Sequence, residues 1–270
     1  MATEPALEVS SEVNVDRWTR GELTHAADQV AEEMPIALVY HGVPHVVMLA
    51  TPADLEDFAV GFTLSEGLVE RPDEIRSVEV TYGAEAADVK ITVAWERFSG
   101  LLQRRRNLTG RTGCGLCGAE TAEEAIRELA PVGPGPTVST AGLHEAIEQL
   151  STMQPINART GSVHAAAWVI PGKGVQFVRE DVGRHNALDK AIGALVRSGA
   201  DRSEGYMLIT SRASFEMVHK TAMLGASLLV TVSGATALAV RMAHQANLTL
   251  CGFTRKESHT VYTHPWRVTA

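Results

Sequence analysis

Val163-His-Ala-Ala-Ala-Trp-Val-Ile170, then Pro171-Gly-Lys-Gly174, then Val175-Gln-Phe-Val-Arg179 is the stretch on which the fold turns. Two short apolar runs on either side of a Pro-Gly-x-Gly turn read as a β-hairpin. The units that follow alternate: helix 184–197, strand 206–210, helix 214–224, strand 228–232, helix 235–246 and strand 248–253. A helix over 140–153 precedes them. A hairpin followed by strand-helix-strand units predicts a mixed three-layer α/β sheet, with ligands gathered beyond the carboxyl ends of its parallel strands.

Working outward, Thr221 to Val240 carries no charge between Lys220 and Arg241 and approaches bilayer-spanning length. Gly225, Ser227, Ser233 and Gly234 punctuate it, and β-branched residues replace helix formers near its middle. It therefore reads as a buried helix-strand-helix crossover. Upstream, Pro131-Val-Gly-Pro-Gly-Pro136 suits neither a helix nor a central strand and marks a boundary. This divides the chain into residues 1–130 and 137–270. The first part reads as α+β: a frayed start to about residue 14, a hairpin of 36–40 and 45–50, a helix from Pro52 to Ser65 capped by Thr51, and strands 77–81 and 89–94.

The 270 residues carry 24 Lys+Arg against 32 Asp+Glu, a net charge of −8. That balance lacks the positive field with which a general nucleic-acid binder collects phosphates. Three cysteines cannot form a secreted disulfide framework, and Met-Ala-Thr-Glu-Pro-Ala is no signal peptide. A cytoplasmic, reduced protein with no membrane and no nucleic-acid partner is expected.

Between the two parts lies Gly113-Cys114-Gly-Leu-Cys117-Gly118, preceded by Arg97, Arg104, Arg105, Arg106 and Arg111 and followed by the capping box Thr121-x-x-Glu124. Positive charge and a nearby helix start both favour thiolate over thiol. Four readings compete: small apolar residues in a turn, a zinc site, a thioredoxin-type redox pair, and a sulfur nucleophile. Zinc is disfavoured because Cys251 stands alone, so histidines or another chain would have to complete the site. The redox pair would follow the first strand of a βαβ unit, which this loop does not. Nucleophilic sulfur chemistry is the favoured reading.

A second polar cluster sits where strands turn into helices: Glu180-Asp181-Val182-Gly183-Arg184-His185-Asn186 and Ser211-Arg212-Ala213-Ser214-Phe215-Glu216. Helix N-termini flanked by arginine suit phosphate groups. The plainer alternative is capping by Asp181 and Ser211. The last parallel strand runs into Phe253-Thr254-Arg255-Lys256-Glu257-Ser258, either a third ligand-facing turn or a solvated charged one.

These motifs resemble the FdhD family, sulfur carrier proteins required for active formate dehydrogenase. The resemblance covers most of the chain: Met48-x-x-Thr51-Pro52-x-Asp54-Leu55-Glu56-Asp57-Phe58-Ala59-Val60-Gly61-Phe62, Ser65-Glu66-Gly67, Cys114-Gly-Leu-Cys117-Gly118 and Thr160-Gly161-x-x-His164. It continues through Glu180 to Lys190, Ser211-Arg212-x-Ser214-x-Glu216 and Gly252-Phe253-x-Arg255. Ser162 departs from the family's usual glycine. The second half also has the element order of the cytidine-deaminase fold. Where zinc deaminases carry H-x-E and P-C-x-x-C, this chain reads His185-x-Ala187 and Ser211-x-x-Ser214, so neither the metal ligands nor the general base is present.

The resemblance implies a sulfurtransferase that works through a cysteine persulfide and binds no zinc. Cys114 would take sulfur from a cysteine desulfurase, with Cys117 as the second thiol. Its substrate would be the molybdenum cofactor in bis(molybdopterin guanine dinucleotide) form, sulfurated before insertion into formate dehydrogenase, with a homodimer expected. Arg184, His185, Asn186, Ser211, Arg212 and Phe253 to Ser258 (Phe253, Thr254, Arg255, Lys256, Glu257, Ser258) are the residues expected to bind the cofactor through its guanine nucleotide. The alternative is a non-catalytic chaperone that docks the cofactor to its enzyme.

Overall fold

A β-ribbon opens the described chain, β1 (Ser10–Thr19) pairing antiparallel with β2 (Glu22–Ala31) from Ser10↔Ala31 to Thr19↔Glu22. The computed structural model describes residues 8–106 and 129–270, and of residues 102–106 the backbone alone. From Ser10 onward the ribbon corrects the expected fraying; residues 1–7 lie outside the described residues. Its two turn residues, Arg20 and Gly21, have φ of 52° and 87°, the mirror-image turn that matches strand twist and favours glycine. The polar composition of 10–14 hid a strand whose side chains are mostly in water and whose backbone is paired.

The next hairpin lies where expected, β3 (Met34–Tyr40) and β4 (Val43–Ala50) about His41-Gly42. Helix α1 (Leu55–Ser65) follows, then β5 (Ile75–Tyr82), β6 (Ala87–Val93) and helix α2 (Trp95–Arg106). The sheet order is β4-β3-β6-β5, with β3 and β6 parallel. Phe58, Ala59 and Phe62 of α1 pack on Ile36, Leu38, Tyr40, Val89 and Ile91, and Phe98 and Leu101 of α2 join the same core. Helix α2 was not anticipated. The start of α1 also differs from expectation: its N-cap is Asp54, at φ 54°, with no side-chain cap. Thr51 is used elsewhere.

The second half runs β7 (Val138–Ser139), α3 (Thr140–Thr152), α4 (Pro155–Thr160), β8 (His164–Ile170), β9 (Gly174–Asp181) and α5 (Arg184–Ser198). It continues β10 (Tyr206–Ile209), α6 (Phe215–Leu224), β11 (Leu228–Thr231), α7 (Ala237–Gln245), β12 (Thr249–Gly252), β13 (Thr260–Thr263) and β14 (Val268–Thr269). The six-stranded order is β13-β12-β11-β10-β8-β9, with β10, β11 and β12 mutually parallel. Leu188, Ile192, Met217 and Met242 from α5, α6 and α7 cover one face. Leu143 and Leu150 of α3 cover the other, against Ala167, Leu208, Val230 and Cys251. This is the expected three-layer α/β sheet with the deaminase-like element order, plus elements not anticipated: α4, the antiparallel edge strand β13, and the short paired strands β7 and β14. The uncharged 221–240 stretch is the end of α6, then β11, then the start of α7, and among the described residues no helix is long and apolar enough to cross a membrane.

The two sheets are joined through α1 and α5, which cross almost in backbone contact. A Cβ on Gly61 would fall 1.7 Å from the Asp189 carbonyl oxygen, and one on Gly193 would fall 1.8 Å from that of Asp57. No residue larger than glycine fits either position without separating the helices.

Candidate functional site

Much of the motif sequence builds the joint between the halves. Asp181 is fully buried, and its Oδ2 accepts from Thr51 N at 3.0 Å and meets Lys190 Nζ at 2.6 Å. Its Oδ1 accepts from Gly183 N at 2.8 Å and Asn186 Nδ2 at 3.0 Å. Lys190, also fully buried, donates to Thr51 O at 2.9 Å, and Asn186 Nδ2 donates to Leu49 O at 2.8 Å. Val182 N donates to Thr51 Oγ1 at 3.1 Å. Thr51 thus joins the halves instead of capping α1, and the Asn186 amide expected at a ligand is engaged here.

Two further clusters extend the joint. Ser65 Oγ donates to Asp189 Oδ1 at 2.6 Å, and Lys220 Nζ reaches both Asp189 oxygens at 3.0 Å, Ser65 Oγ at 2.9 Å and Glu66 Oε1 at 2.8 Å. Burial outweighs Lys220 and pushes the Asp189 carboxyl up to about 6. On the other side, Asp57 is held by Arg179 at 2.8 Å and Arg197 at 2.6 Å, and Arg197 also pairs with Glu56. Lys220, Arg179 and Arg197 were not singled out in the sequence. The readable signal was helical spacing, since Asp57–Gly61 and Asp189–Gly193 are i,i+4 pairs on the crossing faces.

The ligand-facing end of the sheet holds the remaining predicted residues. Because β8 runs antiparallel to β10, His164 begins β8 at the end where β10 finishes. Around it stand Arg184 and His185 at the start of α5 and Ser211, Arg212, Ser214 and Glu216 at the start of α6. Neither helix N-terminus has a side-chain cap, whereas Ser139 caps α3 and Thr236 caps α7. Ser211 does not cap α6, because its hydroxyl donates to Arg212 O at 3.1 Å. Asp181 caps only in part, through Gly183 N. Arg184 is half-buried and Arg212 exposed, and among the described residues neither forms an ion pair or a side-chain hydrogen bond.

Electrostatics at this end favour neutral histidine. His164 is lowered by burial and then by Arg184, and so is His185. His185 Nε2 is buried 3.5 Å from Glu216 Oε2, and Ser214 Oγ donates to that same oxygen at 2.7 Å. The sequence reading quoted His164 and Glu216 only as motif letters.

At the end of β12, Thr254 is fully buried and its Oγ1 has no partner, while Phe253 is half exposed at φ 51°. Arg255 is more engaged than expected: its Nη1 donates to Val232 O, and to Thr254 O at 3.0 Å, and its amide donates to Ser258 O at 2.7 Å. Lys256 turns to Glu148 at 3.2 Å, and Glu257 is exposed. Among the described residues, Arg184 and Arg212 are therefore the cations at this end with neither an ion pair nor a side-chain hydrogen bond, while Arg255, though exposed, engages Nη1 with two backbone carbonyls. A separate cleft of about 470 Å³, lined by Pro134, Gly135, Ile170, Lys173 and Glu204 among others, opens at the opposite end of the parallel strands.

Cys114, Cys117, Arg111 and the Thr121-x-x-Glu124 box lie outside the described residues. Arg97, assigned in the sequence to the field around the cysteines, is instead clamped by Glu70 at 2.7 Å and Glu74 at 3.0 Å. Its guanidinium holds the Glu74 carboxyl down at about 2, so its charge is already matched. Cys251 is buried in the sheet and its thiol is pushed up to about 12 by burial, the opposite of a reactive cysteine.

Comparison with known proteins agrees with this architecture. A protein of Cupriavidus necator named sulfur carrier protein FdhD is 54% identical over 254 residues, covering 94% of this chain and 88% of its own. One of the same name from Variovorax paradoxus is 49% identical over 241 residues, covering 89% of this chain and 87% of its own. The crystal structure of a candidate formate dehydrogenase accessory protein from Desulfotalea psychrophila superposes with a TM-score of 0.78, covering 97% of this chain and all of that one. At 22% identity that likeness speaks for the fold. The family model described as FdhD/NarQ matches residues 31–269, from the first sheet to the last strand. The chain belongs to the FdhD/NarQ family.

Proposed function

We propose that this chain is a sulfur carrier of formate dehydrogenase maturation that works through a persulfide on Cys114. The observation that carries the reading is the Cys114-Gly-Leu-Cys117 pair beside a run of arginines, in a family whose relatives are named sulfur carriers. In the loading step the Cys114 thiolate attacks the terminal sulfur of a desulfurase persulfide. The donor's S–S bond breaks, its cysteine leaves as thiolate, and a new S–S bond forms on Cys114. Release as sulfide requires two electrons. Attack of the Cys117 thiolate on Cys114 Sγ supplies them, closing a disulfide as HS⁻ leaves, and a cellular dithiol then restores both thiols.

The substrate is the molybdenum cofactor in its guanine-dinucleotide form, bound at the carboxyl ends of β10, β11 and β12. Three features support this placement: the starts of α5 and α6, whose N-cap residues Gly183 and Ser214 supply no side-chain cap, Arg184 and Arg212, unpaired among the described residues, and the partnerless Thr254 hydroxyl. Backbone amides and arginines suit phosphates, and a buried hydroxyl suits a ribose or base. The test is activation of formate dehydrogenase by the Cys114→Ala and Cys117→Ala variants. Loss of activation with an unchanged fold is expected for Cys114→Ala, and full activation by that variant rejects the reading.

A further inference from the structure

We propose that His185 reads an N–H donor on the heterocycle of the bound cofactor, and that Glu216 positions it by fixing the imidazole tautomer; the inference rests on the strand-end cofactor site above. His185 Nε2 is buried, forms no hydrogen bond and lies 3.5 Å from Glu216 Oε2. A lone pair on Nε2 would face a carboxylate, so the neutral ring carries its proton there. Ser214 Oγ, donating to the same oxygen at 2.7 Å, holds the carboxylate in place.

Nδ1 is then a hydrogen-bond acceptor. Among the described residues it has no partner, and it is reached by solvent, the side chain being 29% exposed. Burial and Arg184, with a smaller contribution from Lys220 on α6, oppose protonation of the ring, and Glu216 favours it. The balance keeps His185 below its usual range and uncharged at neutral pH.

A neutral acceptor repels phosphate, which offers only acceptor oxygens, so phosphates fall to Arg184 and Arg212. What Nδ1 matches is an N–H on a heterocycle. The 2-amino-4-oxopyrimidine edge, shared by guanine and pterin, carries such donors. His185 therefore helps to set specificity for the ring system, separately from the cations that hold the phosphates.

The test is calorimetric titration of the full chain with GDP and, separately, with 6-hydroxymethylpterin, between about pH 5 and 8. His185→Phe should weaken one of the two ligands by about 5- to 10-fold, the factor carried by one neutral hydrogen bond. His185→Asn, whose amide oxygen restores an acceptor, should recover part of the loss. The ligand that responds identifies the ring. Wild-type affinity should fall on acidification as the imidazole charges, and Glu216→Ala should move that fall to lower pH, a shift that a merely structural role would not produce. Unchanged affinity of His185→Phe for both ligands, with GDP binding still weakened in Arg184→Ala, overturns this inference alone. A wild-type chain that binds neither ligand overturns the strand-end site along with it.

Discussion

Gly193→Ala is the sharpest test of how the two halves are joined. The added methyl would sit 1.8 Å from the Asp57 carbonyl oxygen, where ordinary carbon–oxygen contact needs roughly 3.3 Å. Helices α1 and α5 would have to separate by about 1.5 Å, judged from that shortfall in van der Waals contact. The same movement would pull at the Asp57–Arg197 and Ser65–Asp189 contacts, both 2.6 Å. Overpacking costs about 1–3 kcal/mol, and weakening one charged hydrogen bond adds about 1.5–3 kcal/mol. Replacing glycine within a helix returns about 1 kcal/mol. The net loss is about 1.5–5 kcal/mol, a large share of a typical folding free energy of about 5–15 kcal/mol. Urea denaturation followed by circular dichroism measures it. Gly100→Ala in α2, where a Cβ meets nothing within 4 Å, is the control and should be neutral or slightly stabilising. Equal, small effects at the two positions would refute the close crossing.

Lys190→Met should cost about 3–5 kcal/mol, because it strands the Asp181 carboxylate in a fully buried site; Lys190→Met combined with Asp181→Asn should recover part of that in the same denaturation assay. Asp189, at 3.8 unfolded and about 6 folded, binds more protons in the native state between those values. Its contribution is therefore fully present below about pH 4 and lost as pH rises to about 6, on the order of 2–3 kcal/mol, and a stability–pH profile should flatten there in Asp189→Asn. Arg184→Ala and Arg212→Ala should each weaken GDP binding by about 1.5–3 kcal/mol, while Arg20→Ala, in the β1–β2 turn, leaves it unchanged in a calorimetric titration.

The second sheet was legible in the sequence because its signals are local. Pro171-Gly-Lys-Gly174 marks the hairpin, and each buried strand is a short apolar run ending in a polar turn, so β8 to β12 fall within a few residues of expectation. What the sequence hid was partnership. Thr51-Pro52 has the form of a helix start, yet Thr51 answers Asp181 and Lys190 from across the chain. Arg97 looks like part of a basic field until Glu70 and Glu74, which its own sheet brings alongside, are seen to hold it. The ribbon of β1 and β2 lacks a buried face to give it an alternating pattern, so only Arg20-Gly21 announced it. At the site, the arginines and His185 were readable as residue types at strand-to-helix turns. Which of them remain free, Arg184 and Arg212 more than Arg255, depends on contacts between strands far apart in sequence.

The central claim is that Cys114 carries sulfur, and mass spectrometry of the peptide holding Cys114 and Cys117 tests it most directly. After incubation of the full chain with a cysteine desulfurase and cysteine, without reductant, the account predicts a mass increment of one sulfur atom on that peptide. The increment should be removed by dithiothreitol, absent without desulfurase, and lost in Cys114→Ala. An unmodified peptide under conditions where the desulfurase itself is loaded, or an increment that persists in Cys114→Ala, would contradict it.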